Sequence, residues 1–125
     1  MPDRKTKLPY ALESFNEAVR WRHASAALQW VDPAVSAQIS DRFRAVFAEV
    51  EIADVEMLDV RMGADGKTAE CLVKFSWYDQ RDLTVRSGVE LQGWTDTGKG
   101  WVLTYQNPPS DPKAQRSPFV TLDRR

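Results

Sequence analysis

Two side chains in this 125-residue sequence are candidates for acid–base chemistry, His23 and Asp59. His23 is the single histidine, and it falls on the apolar stripe of a predicted helical region, where an imidazole would serve as a general base or a pH-sensitive group. The interpretation that the pattern favours is a histidine at a helix break, bonded to backbone. Asp59 lies in a predicted strand with apolar residues on both faces, so the direction of its carboxylate stays open.

Other reactive side chains are scarce. With one His and one Cys the chain lacks the ligands of a Cys/His zinc site, and it contains no glycine-rich phosphate loop, nucleophile elbow or metal motif. No metal and no cofactor are therefore predicted. Cys71 lies in the middle of a strand, on its inward face, and is predicted to be an inert core residue, because a catalytic cysteine needs a basic partner. Seventeen Lys and Arg against eighteen Asp and Glu give a net charge of -1, so no nucleic-acid partner is predicted.

Aromatic residues are abundant, with five Trp, five Phe and three Tyr. Several of them fall at inward positions, where they could line a pocket for a small apolar ligand. The predicted pocket residues are Trp30, Cys71, Phe75, Trp77 and Tyr105. The alternative, which we favour, is that these side chains fill the interior as a solid core.

The candidate residues nearest the N-terminus, His23 and Trp30, fall in a predicted helical region. Residues from about 10 to 50 are predicted to be helical, with a break near residues 22–25 that separates a helix at about 10–22 from a short one at about 24–30. Asp32 followed by Pro33 is typical of a helix start, with an acidic cap before a proline in the first turn.

Strands follow from residue 52 onward. The first is predicted at 52–62, and the glycine-containing loops 63–67 and 96–100 predict two hairpins. Helices followed by a four-strand meander predict an α+β domain, with N-terminal helices packed on a curved four-stranded antiparallel sheet. The predicted domain covers residues 10–106. Residues 1–9 form an N-terminal tail, and 107–125 form a proline-rich C-terminal tail whose apolar residues Phe119, Val120 and Leu122 either dock or fray.

The alternation along the predicted strands assigns their faces. In the third strand Val85, Val89 and Leu91 are predicted to point inward, and Arg86, Glu90 and Gln92 outward. The outward side of the sheet mixes charged residues with exposed aromatics, which are common anchors of protein interfaces. The predicted interface residues are Tyr78, Arg86, Gln92 and Trp94, and the alternative is an ordinary solvated face.

The helical segments Ala18–Trp21 and Ala26–Pro33 resemble a motif of small bacterial lipoproteins of unknown function within the NTF2-like, or cystatin-like α+β cone, superfamily. Val50–Met57 is similar to their first strand, whereas Arg22-His23 replaces the Gly-Asp that breaks their helix. The resemblance implies a cone fold and a dimer or protein contact through the open sheet face. It also implies a place in the bacterial cell envelope or periplasm, with the membrane reached only through a removed N-terminal lipid anchor.

Three hypotheses for function follow. The first is a non-enzymatic NTF2-like domain of an envelope lipoprotein that acts through a homodimer or another protein partner. The second is a binding protein for a small apolar ligand inside the aromatic cone. The third is an enzyme like the isomerases or dehydratases of the superfamily, which need a carboxylate base in an apolar pocket; His23 and Asp59 are the candidates, because no carboxylate is predicted on the inward faces of the second and third strands. The N-terminus has no apolar signal segment, so the sequence as given predicts a cytoplasmic protein.

Overall fold

The computed structural model describes residues 7–121. The helices are α1 (Leu8–Arg20), α2 (Ala24–Leu28) and α3 (Ser36–Phe47), with a 3-10 turn at Pro33–Val35. The strands are β1 (Val50–Met62), β2 (Thr68–Asp79), β3 (Val85–Asp96) and β4 (Trp101–Asn107). They form one antiparallel sheet in the order β1-β2-β3-β4, which confirms the predicted α+β class. Among the described residues, no helix has the length and apolar character that crossing a membrane requires.

Local signals place the break between the first two helices, and the cap before the third, where the sequence predicts them; α1 begins and ends about two residues earlier than predicted, and α2 ends two residues earlier. α1 ends at Arg20, and Arg22 adopts a left-handed backbone with φ of 61° before α2 begins at Ala24. The Asp32 carboxylate accepts a hydrogen bond of 2.9 Å from the Ala34 amide at the turn that leads into α3. Both the helix break and the acidic cap are thus confirmed, because each depends on backbone groups only a few residues away.

The helices cover the concave face of the sheet. Phe15 of α1 packs edge-on against Trp94 of β3 with ring centroids 5.7 Å apart, and lies 6.2 Å from Phe43 of α3. The stretch between α2 and α3 is tied to β4, since the Leu103 amide donates to the Trp30 carbonyl at 2.7 Å and the Leu103 carbonyl accepts from the Asp32 amide at 2.9 Å. These contacts hold the layer of helices against the sheet.

The faces of β2 and β3 differ in how well alternation predicts them. On β2 the predicted inward residues are buried, from Ala69 to Trp77. On β3 the prediction is wrong: Glu90 and Gln92 are buried, whereas Val85 is 66 % exposed. The register pairs Glu90 with Val73 of β2, and residues directly opposite each other share a face, so Glu90 must point inward with Val73.

The facing of β4 changes along its length. A register shift between Gly93 and Trp94 sets Tyr105 opposite Gly93, while Leu103 lies opposite Trp94. Because such a bulge inserts an extra residue, Leu103 remains inward and Tyr105 turns to the outer face. The predicted inward position of Tyr105 is therefore wrong.

The stretch after β4, residues 108–121, is called here the C-terminal segment. On the outer face, Pro109 and Ala114 line one cleft together with Val89 and Leu91. The segment then runs along the edge of β3 that β4 leaves free, where the Val89 amide donates to the Gln115 carbonyl at 2.8 Å. After this edge the segment turns inward, and Phe119, only 2 % exposed, belongs to the core. Residues 1–6 of the predicted N-terminal tail, and Leu122 with the three residues after it, lie outside the described part.

Candidate functional site

Five buried polar side chains lie together between the sheet and the helices, and we call them the polar cluster. They come from α1, β3, β4 and the C-terminal segment. The members are Asn16, Glu90, Gln92, Gln106 and Ser117. A group of this kind inside an apolar core is either a chemical site or a structural device, and its hydrogen bonds decide between the two.

Glu90 is at the centre of the cluster. Its Oε1 accepts a hydrogen bond of 2.7 Å from the Ser117 hydroxyl, and its Oε2 accepts from the side-chain amides of Gln92 and Gln106, each at 2.8 Å. Three donors from three different parts of the chain thus converge on one carboxylate. The side chain has no exposed surface, so a substrate cannot reach it in this conformation.

Asn16 and Gln92 extend the cluster towards α1. Their amides exchange two hydrogen bonds, of 3.1 and 2.9 Å, and Asn16 also donates to the Leu12 carbonyl at 3.0 Å. Each amide therefore satisfies the other inside the core. The exception in the cluster is the Oε1 atom of Gln106, which has no hydrogen-bond partner among the described residues.

Burial raises the pKa of the Glu90 carboxyl above its ordinary value, and the three hydrogen bonds together with the charge of Arg42 oppose that rise. Arg42 lies near because its guanidinium donates to the Gln106 carbonyl at 2.8 Å. A buried carboxyl held by neutral donors, without space for a reacting molecule, stabilises one arrangement of strand and segment. The cluster consequently joins the C-terminal segment to the sheet.

Beside the polar cluster, the interior is filled by aromatic rings. Phe119 of the C-terminal segment sits between the helix and the sheet, with its ring centroid 5.8 Å from that of Phe43, 6.0 Å from Phe47 and 5.3 Å from Phe75. Aromatic pairs at these distances and near-perpendicular angles are well packed. The space around Phe75, one of the predicted pocket residues, is thus occupied by the chain itself.

The other predicted pocket residues do not meet in one cavity. Cys71 is fully buried, and burial together with the nearby Asp59 and Glu90 carboxylates raises its pKa to about 12, so it is a neutral thiol at neutral pH. Trp30 is half-buried and packs edge-on against Tyr10, with centroids 5.9 Å apart.

Trp77 and Tyr105 line separate clefts at different parts of the sheet. On the outer face the Tyr105 hydroxyl donates to Glu70 at 2.6 Å; burial and this hydrogen bond raise the pKa of Tyr105 to about 12. Trp77 is buried on the inner face, as predicted from alternation.

The two candidate acid–base residues lie apart. His23 is exposed and precedes α2, where its backbone amide donates to the Ala18 carbonyl at 2.8 Å. Asp59 is exposed on the outer side of β1, and its carboxylate pairs with Arg61 at 3.1 Å. The structure therefore does not bring them together, and neither lies in the polar cluster.

Three of the four predicted interface residues do not occupy the outer face. Gln92 and Trp94 are buried, with 0 % and 1 % of their surfaces exposed, and the prediction that they point outward is wrong. Arg86 lies opposite Trp77 in the ladder and shares its inner side. Tyr78 does lie on the outer face, opposite Val85.

Sequence reasoning overlooked the polar cluster, although two signals point to it. Asn16 follows Phe15 on the apolar stripe of α1, and a polar residue at such a position needs a buried partner. Glycine inside a strand often marks a close approach of another backbone. At Gly88 an added Cβ would lie 2.3 Å from the Arg116 carbonyl oxygen, so the absence of a side chain there lets the C-terminal segment reach Glu90.

A second surface stands out on β1. Four large side chains in its second half are exposed, and we call them the apolar strip: Met57, Leu58, Val60 and Met62. β1 is the first strand in the sheet order, so one of its edges has no strand partner among the described residues. Exposed apolar edge strands are common sites of strand pairing between chains.

Comparisons with known proteins identify relatives in structure alone. No family model and no curated protein matches the sequence. A SEC-C motif containing protein from Rhodopseudomonas palustris superposes with a TM-score of 0.68 at 13% identity, over 81% of this chain and 77% of the other. A candidate calcium/calmodulin-dependent protein kinase type II association domain from Thiobacillus denitrificans gives 0.61 at 14% identity, over 87% and 100%.

A ketosteroid isomerase-like protein from Erwinia carotovora atroseptica is also similar, with a TM-score of 0.58 at 11% identity, over 82% of this chain and 95% of that one. At these identities the likeness concerns the fold, and the activities in those names belong to those proteins. Two observations agree on the fold: the helices packed on a curved, open, four-stranded antiparallel sheet, and the likeness to these structures. The chain has the α+β cone fold of the NTF2-like proteins.

Proposed function

We propose that this protein is a non-enzymatic association domain that joins a second copy of itself along the free edge of β1. The observation that carries the proposal is the apolar strip, whose residues Met57, Leu58, Val60 and Met62 are between 37 % and 53 % exposed. Apolar side chains along an unpaired strand favour aggregation unless a partner covers them. A paired edge would satisfy the free backbone groups and bury these side chains together.

Charge complementarity favours a second copy as the partner. If two β1 strands pair antiparallel with Met57 opposite Val60, Glu56 of each copy lies opposite Arg61 of the other. Two-fold symmetry makes this contact twice. Opposite charges facing each other across strands stabilise pairing, whereas like charges oppose it.

The faces of β1 agree with this register. Met57 and Val60 lie opposite Val73 and Cys71 of β2, which both point inward, so they share the inner face. The irregularity between Met57 and Asp59 adds one residue to β1. Met57 and Val60, three positions apart, therefore point to the same face of the sheet. Glu56 and Arg61 then share the outer face, where they lie opposite Lys74 and Glu70 of β2. Pairs of exposed charges such as Arg61–Asp59 are weak, so Arg61 can also meet a charge across the edge of the sheet.

The interior gives less support to the alternative functions. Phe119 and the polar cluster occupy the space that a ligand or substrate would need, and the one inward carboxylate described, Glu90, is fully enclosed. His23 and Asp59 lie apart on the surface. A non-catalytic role through surface contact therefore fits the arrangement better than an isomerase or dehydratase role.

The register can be tested by exchanging its charges. In sedimentation velocity over a concentration series, the wild type is expected to dimerise, and Glu56→Arg or Arg61→Glu is expected to weaken the dimer about tenfold by placing like charges opposite each other. Within the chain each single change also places like charges opposite Lys74 or Glu70. The double variant E56R/R61E restores the pairs between the copies and should therefore dimerise more tightly than either single variant. Arg44→Glu, an equal charge change on exposed α3, is the control and should leave the dimer unchanged.

Two results would contradict parts of this proposal separately. A wild type that remains monomeric at every concentration would refute self-association. A dimer that forms but responds equally to Arg44→Glu and Arg61→Glu would refute the β1 register.

A place in the cell envelope is a further part of the proposal, and it rests on the resemblance of Ala18–Trp21 and Ala26–Pro33 to lipoprotein motifs. Expression of the complete gene product with labelled palmitate, followed by cell fractionation, tests it. Label in the membrane fraction is expected. An unlabelled protein in the soluble fraction would refute the envelope location and leave the dimer proposal standing.

A further inference from the structure

An open groove of about 790 Å³ lies on the inner side of the molecule, away from the apolar strip. It runs between the C-terminal half of α3, the end of β2, the start of β3 and the C-terminal segment. Its apolar part is made by Val46, Val50, Trp77 and Pro118. A volume of this size is typical of sites for small organic molecules.

Trp77 gives the groove an aromatic wall. The residue is only 7 % exposed, so its ring is held by the core and a small part of it faces the groove. Val46 and Val50 are likewise mostly buried, at 8 % and 9 %. A wall of fixed apolar side chains binds an apolar body without first having to become ordered.

Two arginines supply the charge. Arg86 lies opposite Trp77 in the β2–β3 ladder, and its closest acidic partner is Asp82, at 3.8 Å, a long ion pair between half-exposed side chains. Arg116 makes no ion pair with any residue from 7 to 121, and its backbone packs over Gly88, two positions along the strand from Arg86. The Arg116 guanidinium is therefore available to a ligand, and the Arg86 guanidinium can accept one in place of, or beside, its long contact with Asp82.

The acidic residue that lines the groove is Glu49. Its charge also acts on Arg81, whose pKa is raised by the neighbouring acids Asp79, Glu49 and Asp82. Glu49 is thus shared with a cation that does not line the groove. Asp79 and Asp82 act on Arg86 from outside the groove. Within the lining itself, two arginines face one shared carboxylate, which leaves the rim favourable to an anion.

We propose that this groove binds a small molecule with an apolar ring system and one anionic group, a carboxylate or a sulfonate. The ring system packs against Trp77, and the anion lies at the rim with Arg86 and Arg116. Arginine suits such groups because its planar fork donates two parallel hydrogen bonds to them. The groove reaches β1 only at its first residue, Val50, and is separate from the apolar strip in the second half of that strand, so the proposal does not depend on the proposed dimer.

A pair of matched fluorescent probes tests the proposal on the full chain. 8-Anilino-1-naphthalenesulfonate carries the anion, and N-phenyl-1-naphthylamine has the same ring system without it. The wild type is expected to bind the sulfonate about tenfold more tightly than the neutral probe, which corresponds to one charge-assisted contact. Arg86→Gln and Arg116→Gln should each reduce sulfonate binding severalfold and leave the neutral probe unchanged.

The control variant is Lys113→Gln, which removes an exposed cation of the same C-terminal segment that does not line the groove. It should bind both probes as the wild type does. A second measurement places the ligand: the indole N–H resonance of Trp77, assigned with Trp77→Phe, should shift when the sulfonate probe is added. Equal affinity for the two probes, sulfonate binding unchanged by both arginine substitutions, or an unmoved Trp77 resonance would overturn the proposal.

Discussion

The inner faces of β2 and β3 lie side by side in one sheet, yet they are built in opposite ways. β2 presents Cys71, Val73 and Phe75 to the core, whereas β3 presents Glu90 and Gln92. All five of these side chains are fully buried. The difference shows that burial requires satisfied groups rather than apolar groups, and that a polar face can enter a core when other elements bring its partners.

The outer face of β3 completes the comparison. Val89 and Leu91, which alternation alone would place inside, are half-buried on the outer side. They line a cleft there together with Pro109 and Ala114 of the C-terminal segment. The same segment also supplies Ser117 to Glu90, so one stretch of chain accommodates both sides of the strand.

The largest expected effect on stability comes from the apolar inner face of β2. Phe75→Ala should lower the free energy of unfolding by about 3–5 kcal/mol, because a fully buried ring that packs on Phe119 is replaced by a cavity. Chemical denaturation measures the change. Ser76→Ala, on the outer face of the same strand, is the control, and a Phe75→Ala loss as small as that of Ser76→Ala would contradict the view that the apolar inner face of β2 stabilises the core.

A smaller loss is expected when β3 is made to resemble β2. Glu90→Leu introduces an apolar side chain, and it leaves the donors of Gln92, Gln106 and Ser117 without their acceptor. We expect the free energy of unfolding to fall by about 2–3 kcal/mol in denaturant titrations. If Glu90→Leu is as stable as the wild type, the polar cluster does not stabilise the fold. The inner faces of β2 and β3 would then differ in residue type without a difference in how they contribute to stability.

The smallest effect concerns pH. Because burial raises the pKa of Glu90 in the folded protein, the protonated form favours folding, and that stability is complete below the unfolded glutamate pKa and is lost as pH rises through the folded value. The free energy of unfolding of the wild type relative to Glu90→Gln should therefore decrease above a pH of about 4.3, by at most about 1.4 kcal/mol per pH unit. Thermal unfolding of both proteins from acidic to neutral pH measures this difference. A constant difference would show that the donors cancel the effect of burial, and a difference that increases with pH would show that they outweigh it; either would contradict the raised pKa.

Much of the fold is predictable because it depends on local signals. The break near Arg22, the cap at Asp32 and the two glycine-containing hairpins involve groups a few residues apart. The faces of β2 follow from its clear alternation. Sequence patterns of this kind need no knowledge of what packs against them.

The candidate sites were less predictable for a physical reason that the polar cluster illustrates. Alternation groups the residues of β3 into two sets correctly, and it leaves open which set faces the helices. Hydrophobicity alone predicts that Glu90 faces solvent, because it takes no account of hydrogen-bond donors elsewhere in the chain. The bulge that turns Tyr105 outward depends likewise on pairing between strands rather than on β4 alone.

By itself, the sequence determined the α+β class, the helix break, the acidic cap, the hairpins and the inner face of β2. The tertiary structure decided the face of β3, the packing of the C-terminal segment and the exposure of the apolar strip. The reason is the range of the interactions involved. Asn16 meets Gln92 across 76 positions and Ser117 meets Glu90 across 27, and contacts at such separations exist only once the chain has folded.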